Sequence, residues 1–134
     1  MIEKRQFYID GAWTEALDGR DHEVIDPATE EPCAIIALGG QADTDAAVAA
    51  AKRALPGWMA TPAAERIALV EKLLAVYKSR AEELAQAMSL EMGAPIALAR
   101  ANQVGAGLFH LQNFVNAAKE FDFEAPFSEA HADT

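Results

Sequence analysis

One cysteine and three histidines are the scarce chemical resources of this 134-residue sequence, set among twenty-one acidic side chains. A cysteine nucleophile needs a base or positive charge beside it to hold the thiolate. Cys33 instead opens the apolar run Cys33 to Leu38, between Pro32 and Gly39, with no base near it in sequence. That setting suits a small buried hydrophobe. A single cysteine also excludes an intrachain disulfide and a cysteine-based metal cluster. His22, His110 and His131 are scattered singly, without the i to i+4 pairing of a helical metal site, and read as surface or packing residues. Asp26 and Glu91 are the carboxylates with distinctive positions, one following a strand and the other ending a long helix. A carboxylate at a helix C-terminus is opposed by the dipole, so Glu91 needs a compensating cation or donor. Gly105 and Gly107 lack the preceding strand and the spacing of a phosphate loop, and fit a helix that another backbone approaches closely.

The elements that would position these groups begin with Gln6 to Trp13, where Asp10-Gly11 supplies the positive φ angles of a tight hairpin. Asp18-Gly19 marks a second turn, His22 to Ile25 another short strand ended by Asp26-Pro27, and Cys33 to Leu38 a buried strand. Gly40 to Trp58 turns helical, with Val48, Ala51, Leu55 and Trp58 on one face, and Pro56-Gly57 ends or kinks it. Thr61 to Met92 reads as one long amphipathic helix, with Thr61 and Pro62 as its start and Gly93 and Pro95 as its stop. Its inward face is Ile67, Val70, Leu74, Tyr77, Ala81, Leu84 and Met88, widened by Leu69, Leu73 and Val76. Pro95 opens a third helix whose face is Val104, Leu108, Leu111, Val115 and Ala118. Phe121 to Phe127 alternates like a strand, interrupted by Pro126, before a polar tail. The spacing therefore predicts a single α/β unit: strands and turns over 1–40, three helices over 41–120, a short strand and tail over 121–134.

A net charge of −10 lacks the basic footprint that phosphate backbones reward, which argues against nucleic-acid binding. No apolar run approaches the ~18 residues that span a bilayer, and Met1 to Arg5 lacks a signal-peptide core, so a cytoplasmic protein with no membrane partner is expected. Alanine supplies much of the hydrophobic content, which favours helix but gives a thin core.

Taken in order, FYIDGAW, EVIDPATEEP, IIALGGQADTDAAVAAAKRALPGW, TPAAERIALVEKL and SRAEELAQAMSLEMGAP resemble the amino-terminal segment of the NAD(P)-dependent aldehyde dehydrogenase family. The resemblance implies an incomplete part of that family's nucleotide-binding domain, with a β-hairpin and short strands followed by three helices. It implies a full-length parent that oxidises an aldehyde to a carboxylic acid with NAD or NADP. The family's glycine motif, general-base glutamate and nucleophilic cysteine come later than Thr134, and Cys33 does not match that nucleophile. The chain alone is therefore expected to be inactive and to bind no NAD or NADP; no residue here is assigned as catalytic or cofactor-binding. One site carries over: a monovalent cation, sodium or potassium, held by backbone carbonyls matching Val24 and Ile25 and a carboxylate matching Glu91, where other members have aspartate.

The competing function is a stand-alone helical interaction or oligomerisation module. Either reading leaves apolar helix faces without a partner, and a homodimer through the helices Thr61–Met92 and Pro95–Ala118 is expected.

Overall fold

The computed structural model describes residues 1–125. Asp10 and Gly11 take φ of 54° and 79°, the pair of positive angles that a two-residue hairpin needs. They join β2 (Gln6–Ile9) to β3 (Ala12–Glu15), with Tyr8 opposite Trp13 and their rings edge-on at 5.3 Å. A second antiparallel pair, β4 (Arg20–Asp26) and β5 (Glu31–Leu38), turns at Asp26-Pro27. There Asp26 Oδ1 accepts from the Ala28 amide at 2.8 Å, and the Asp26 carbonyl accepts from Glu30 N at 2.7 Å. Asp26 thus makes the turn. A three-residue strand, β1 (Ile2–Lys4), adds in parallel to β5, giving the order β1-β5-β4. Its composition, one apolar and two charged residues, gives no alternation to read.

Helix α1 (Gln41–Ala60) starts where Asp43, only 5% exposed, accepts from Leu17 N at 2.8 Å and Gly40 N at 3.1 Å. Of the two expected effects of Pro56, ending the helix does not occur: it lies within α1, which continues to Ala60. Thr61 ends it: its hydroxyl donates to the Gly57 carbonyl at 3.1 Å, and its extended φ/ψ is the conformation a residue before proline prefers. Thr61 therefore closes α1 and does not cap the next helix, which begins after Pro62. The α1 face also differs from expectation. Val48, Leu55 and Trp58 are exposed, while Ala50 is buried, because the helix meets the hairpin along Ala47, Ala50, Ala51 and Ala54.

The long helix is two: α2 (Ala63–Ser79) and α3 (Ala81–Met92), separated by Arg80 at φ −109°, ψ 13°. The backbone ladder crosses the break, since Arg80 N donates to the Val76 carbonyl at 3.1 Å and Leu84 N to the Arg80 carbonyl at 3.1 Å. The inward face survives, with Leu74 buried and Ile67, Val70, Tyr77, Ala81, Leu84 and Met88 half-buried. Leu69, Leu73 and Val76, at 47%, 53% and 53% exposure, find no cover. From Pro95 the chain makes one turn, α4 (Ile96–Leu98), then a π-helical stretch, Ala99–Gln103, and then α5 (Val104–Glu120). Val104 and Val115 on the expected α5 face are buried, and α5 packs on α2. The core gathers Ala85, Ala99 and Val104 with Tyr77, Leu84, Met88 and Ile96 around them, and is built largely from small side chains. Phe121 is extended, but residues 121–125 form no strand; the remainder of the expected strand and the tail lie outside the described residues. No helix among the described residues is long and apolar enough to cross a membrane.

Candidate functional site

The sheet β1-β5-β4 and the helices α2 and α3 enclose a cleft of about 640 Å³, and the expected site residues fall around it. On β4 the pairing slips between Val24 and Ile25: Val24 faces Ala34 and Ile25 faces Pro32, so Cys33 has no Cα partner. Such a bulge re-aims side chains and locally ends the ladder. Pro32, with no N–H to donate, suits that irregular place. The Cys33 thiol, half-buried on the cleft wall, donates to the Val24 carbonyl at 3.3 Å.

Glu91 reaches the same cleft from the last turn of α3, beside Leu90 and Ala87. Its position is fixed by the helix end. Gly93 is left-handed at φ 67°, its amide donates to the Ser89 carbonyl at 3.1 Å, and Ser89 Oγ donates to the Ala94 carbonyl at 2.8 Å. A Cβ on Gly93 would lie 2.7 Å from Pro27 Cγ, so the α3 terminus sits directly on the β4–β5 turn. That contact brings the end of α3 and the irregular end of the β4–β5 pair together. Val24 and Glu91 share the cleft; Ile25, 44% exposed, does not line it. Monovalent and other hard cations take several oxygen ligands. The cleft offers the Val24 carbonyl, already engaged by the Cys33 thiol, and the exposed Glu91 carboxylate.

The other candidates stand apart. His22 is exposed on β4 opposite Ile36, and His110 is exposed on α5 with its ring edge-on to Phe109 at 5.5 Å. His131 lies outside the described residues. No group of three His, Cys, Asp or Glu side chains that could hold a metal occurs among the described residues.

Sequence reasoning missed a cluster at the β5–α1 junction. The succession strand, Gly39-Gly40, helix has the outline of a phosphate-binding turn. Here the amides are already taken, because Asp18 Oδ2 accepts from Ala42 N at 3.1 Å and Asp43 accepts from Gly40 and Leu17. These amides hold the Asp43 carboxyl below its usual range, Leu17 N first. Two carboxylates occupying a helix N-terminus would repel a pyrophosphate, so this turn does not fit a dinucleotide. The spacing of Asp43 three residues after Gly40 was the available signal.

A second ionic cluster ties α3 to the π-helical stretch. Arg100 donates through Nε and Nη2 to Glu82 at 2.8 and 2.6 Å, and Gln86 donates to the same carboxylate at 2.8 Å. Arg100 and then Gln86 bring the Glu82 carboxyl down to about 2.

A small sheet and helices with uncovered apolar stripes define a partial α/β domain. Residues 13–133 match the family model described as the aldehyde dehydrogenase family, and the chain belongs to that family. It is 41% identical over 125 residues to a 3-succinoylsemialdehyde-pyridine dehydrogenase of a Pseudomonas species, covering 92% of this chain and 26% of the relative. Its fold matches an aldehyde dehydrogenase from Bartonella henselae at a TM-score of 0.93 and 44% identity, over 98% of this chain and 28% of the other. A mutant aldehyde dehydrogenase C from Pseudomonas syringae, complexed with NAD+ and octanal, matches at 0.89 and 40% identity, over 92% of this chain and 26% of the other. The chain thus spans about a quarter of the length of these relatives, as an amino-terminal segment.

Proposed function

We propose that this segment serves an enzyme that oxidises an aldehyde to a carboxylic acid with NAD or NADP, and that it supplies scaffold rather than reacting groups. The observation that carries this reading is the stripe Leu69, Leu73 and Val76, which stays exposed on a chain matching only a quarter of its relatives' length. In that reading the stripe is the seat of later elements of the same domain, and NAD(P) and aldehyde meet residues beyond this segment. The relatives named above differ in their aldehydes, so the proposed substrate class is no narrower than aldehyde. A cytoplasmic location belongs to the same proposal, in keeping with a lone cysteine held as a thiol.

The test is complementation. The chain is co-expressed with the remaining three quarters of the Bartonella henselae relative, and NAD(P)H formation from a panel of aldehydes is followed by absorbance. Activity is expected from the pair and from neither piece alone; turnover by this chain alone would overturn the proposal. Val24 and Glu91 are proposed as its contribution to a sodium or potassium site. Potassium titration should raise the melting temperature of the complemented protein more than that of its Glu91→Ala variant.

A further inference from the structure

Among the described lysines and arginines only Arg5 and Arg66 are half-buried. Arg5 is matched by Glu3 and Asp21. Arg66 has no acid within ion-pair distance among the described residues, and its Nε is buried with no acceptor for the N–H. It also stands in the first turn of α2, where the positive end of the helix dipole opposes a basic side chain. A charge that has given up part of its hydration is costly until an opposite charge or an acceptor replaces the water.

The guanidinium forms part of the wall of a pocket of about 260 Å³ between the end of α1, the first turns of α2 and the second half of α5. Trp58, Ile67, Val70, Phe114, Ala118 and Phe123 are among its lining. None of Leu69, Leu73 and Val76 belongs to it, so this is a different face of α2 from the stripe described above. Trp58 and Phe114, at 46% and 70% exposure, leave the pocket open on one side. Arg66 Cζ lies 5.7 Å from the centre of the Phe123 ring, a cation–π contact that leaves the in-plane N–H donors for an oxygen acceptor. The partner that fills such a fork through Nε and one Nη is a carboxylate, which neutralises the charge as well as accepting the bonds.

We propose that an aspartate or glutamate from the later part of the same protein, carried beside an apolar side chain, closes this pocket onto Arg66. The inference rests on the reading that later elements complete this segment, which spans about a quarter of its relatives, and it names the chemistry of one contact between the two parts.

The test uses this chain co-expressed with the remaining three quarters of the Bartonella henselae relative, with melting temperature as the readout and NAD(P)H formation beside it. Arg66→Met, which keeps an apolar stem and removes the charge, should lower the melting temperature of the pair by several degrees. In the chain alone the same change should leave the melting temperature unchanged or raise it, because there the charge has no partner. Arg66→Lys, which keeps the charge and loses the fork, should fall between the two in the pair. Among alanine replacements of the aspartates and glutamates of the partner piece, one should reproduce the loss and add nothing to it when combined with Arg66→Met. An equal loss in the chain alone would place the acceptor inside this segment and overturn the proposal. A pair indifferent to Arg66→Met, or one in which no acidic residue couples to it, would overturn it as well. A pair that couples through Arg66 and forms no NAD(P)H would overturn the aldehyde reading alone, and a pair that never forms would overturn both.

Discussion

Tyr77 Oη donates to the Val104 carbonyl at 3.2 Å, and its ring lies where a side chain on Gly107 would be. The bond joins α2 to the first residue of α5, just after the π-helical stretch Ala99–Gln103. Glycine at 107 is the condition for the approach: a Cβ there would stand 2.8 Å from Tyr77 Cζ.

Gly107→Ala and Gly105→Ala should therefore act in opposite directions. Both gain helix propensity worth up to about 1 kcal/mol. At 105 nothing lies within 4 Å of the new Cβ, so stabilisation is expected. At 107 overpacking of about 1–3 kcal/mol outweighs the gain. Urea unfolding of the two variants checks the sign, and Tyr77→Phe, which removes the atom nearest the new methyl, should shrink the Gly107→Ala loss.

Gly93→Ala should be costlier than Gly11→Ala, although both residues have positive φ. Left-handed backbone costs an alanine about 1–2 kcal/mol at either place. Only at 93 does the Cβ also strike Pro27, so the difference between the two variants isolates the contact that seats α3 on the β4–β5 turn. Thermal unfolding of both reports it.

Asp43 should make the fold acid-sensitive. Its carboxyl is held below 3.8 by the Leu17 and Gly40 amides, so its contribution is complete above that value and is lost as pH falls through the lowered one. Asp43→Asn is expected to melt several degrees lower at neutral pH and to lose less of its remaining stability on acidification. A pH series of melting temperatures checks both.

Glu82 should add a second, separable acid response. Its contribution is complete above 4.5 and disappears as pH falls toward about 2, when the carboxylate facing Arg100 is protonated. Glu82→Gln should flatten the melting curve in that window alone, and 0.5 M salt should mimic part of the effect because the pair is exposed.

The elements announced by local backbone chemistry were legible before any coordinates. Asp10-Gly11 specified a hairpin by the angles that it permits, and the period from Ile67 to Met88 specified a buried face. What tertiary contacts decide was not legible. Arg80 breaks the long helix without glycine or proline, and nothing in ALARANQ marks a π-helical stretch. Trp58 and Leu55 share a face in sequence but stay about half exposed. At the cleft, Val24 and Glu91 both line the walls, while Ile25 falls on the other face of β4 by the strand's own alternation; the single-residue slip that leaves Cys33 unpaired on β5 is what periodicity does not record.

The parallel seat of β1 on β5 sets a distant pairing beside a local one. β4 and β5 are neighbours in sequence and can zip from the Asp26 turn within microseconds. β1 pairs at longer range, because Ile2 joins Ala34 only when about thirty residues are closed into a loop, at roughly 3 kcal/mol of chain entropy. Arg5, whose Nε reaches Asp21 Oδ1 on β4 at 3.0 Å, is then a latch that ties the end of this distant strand to its host sheet.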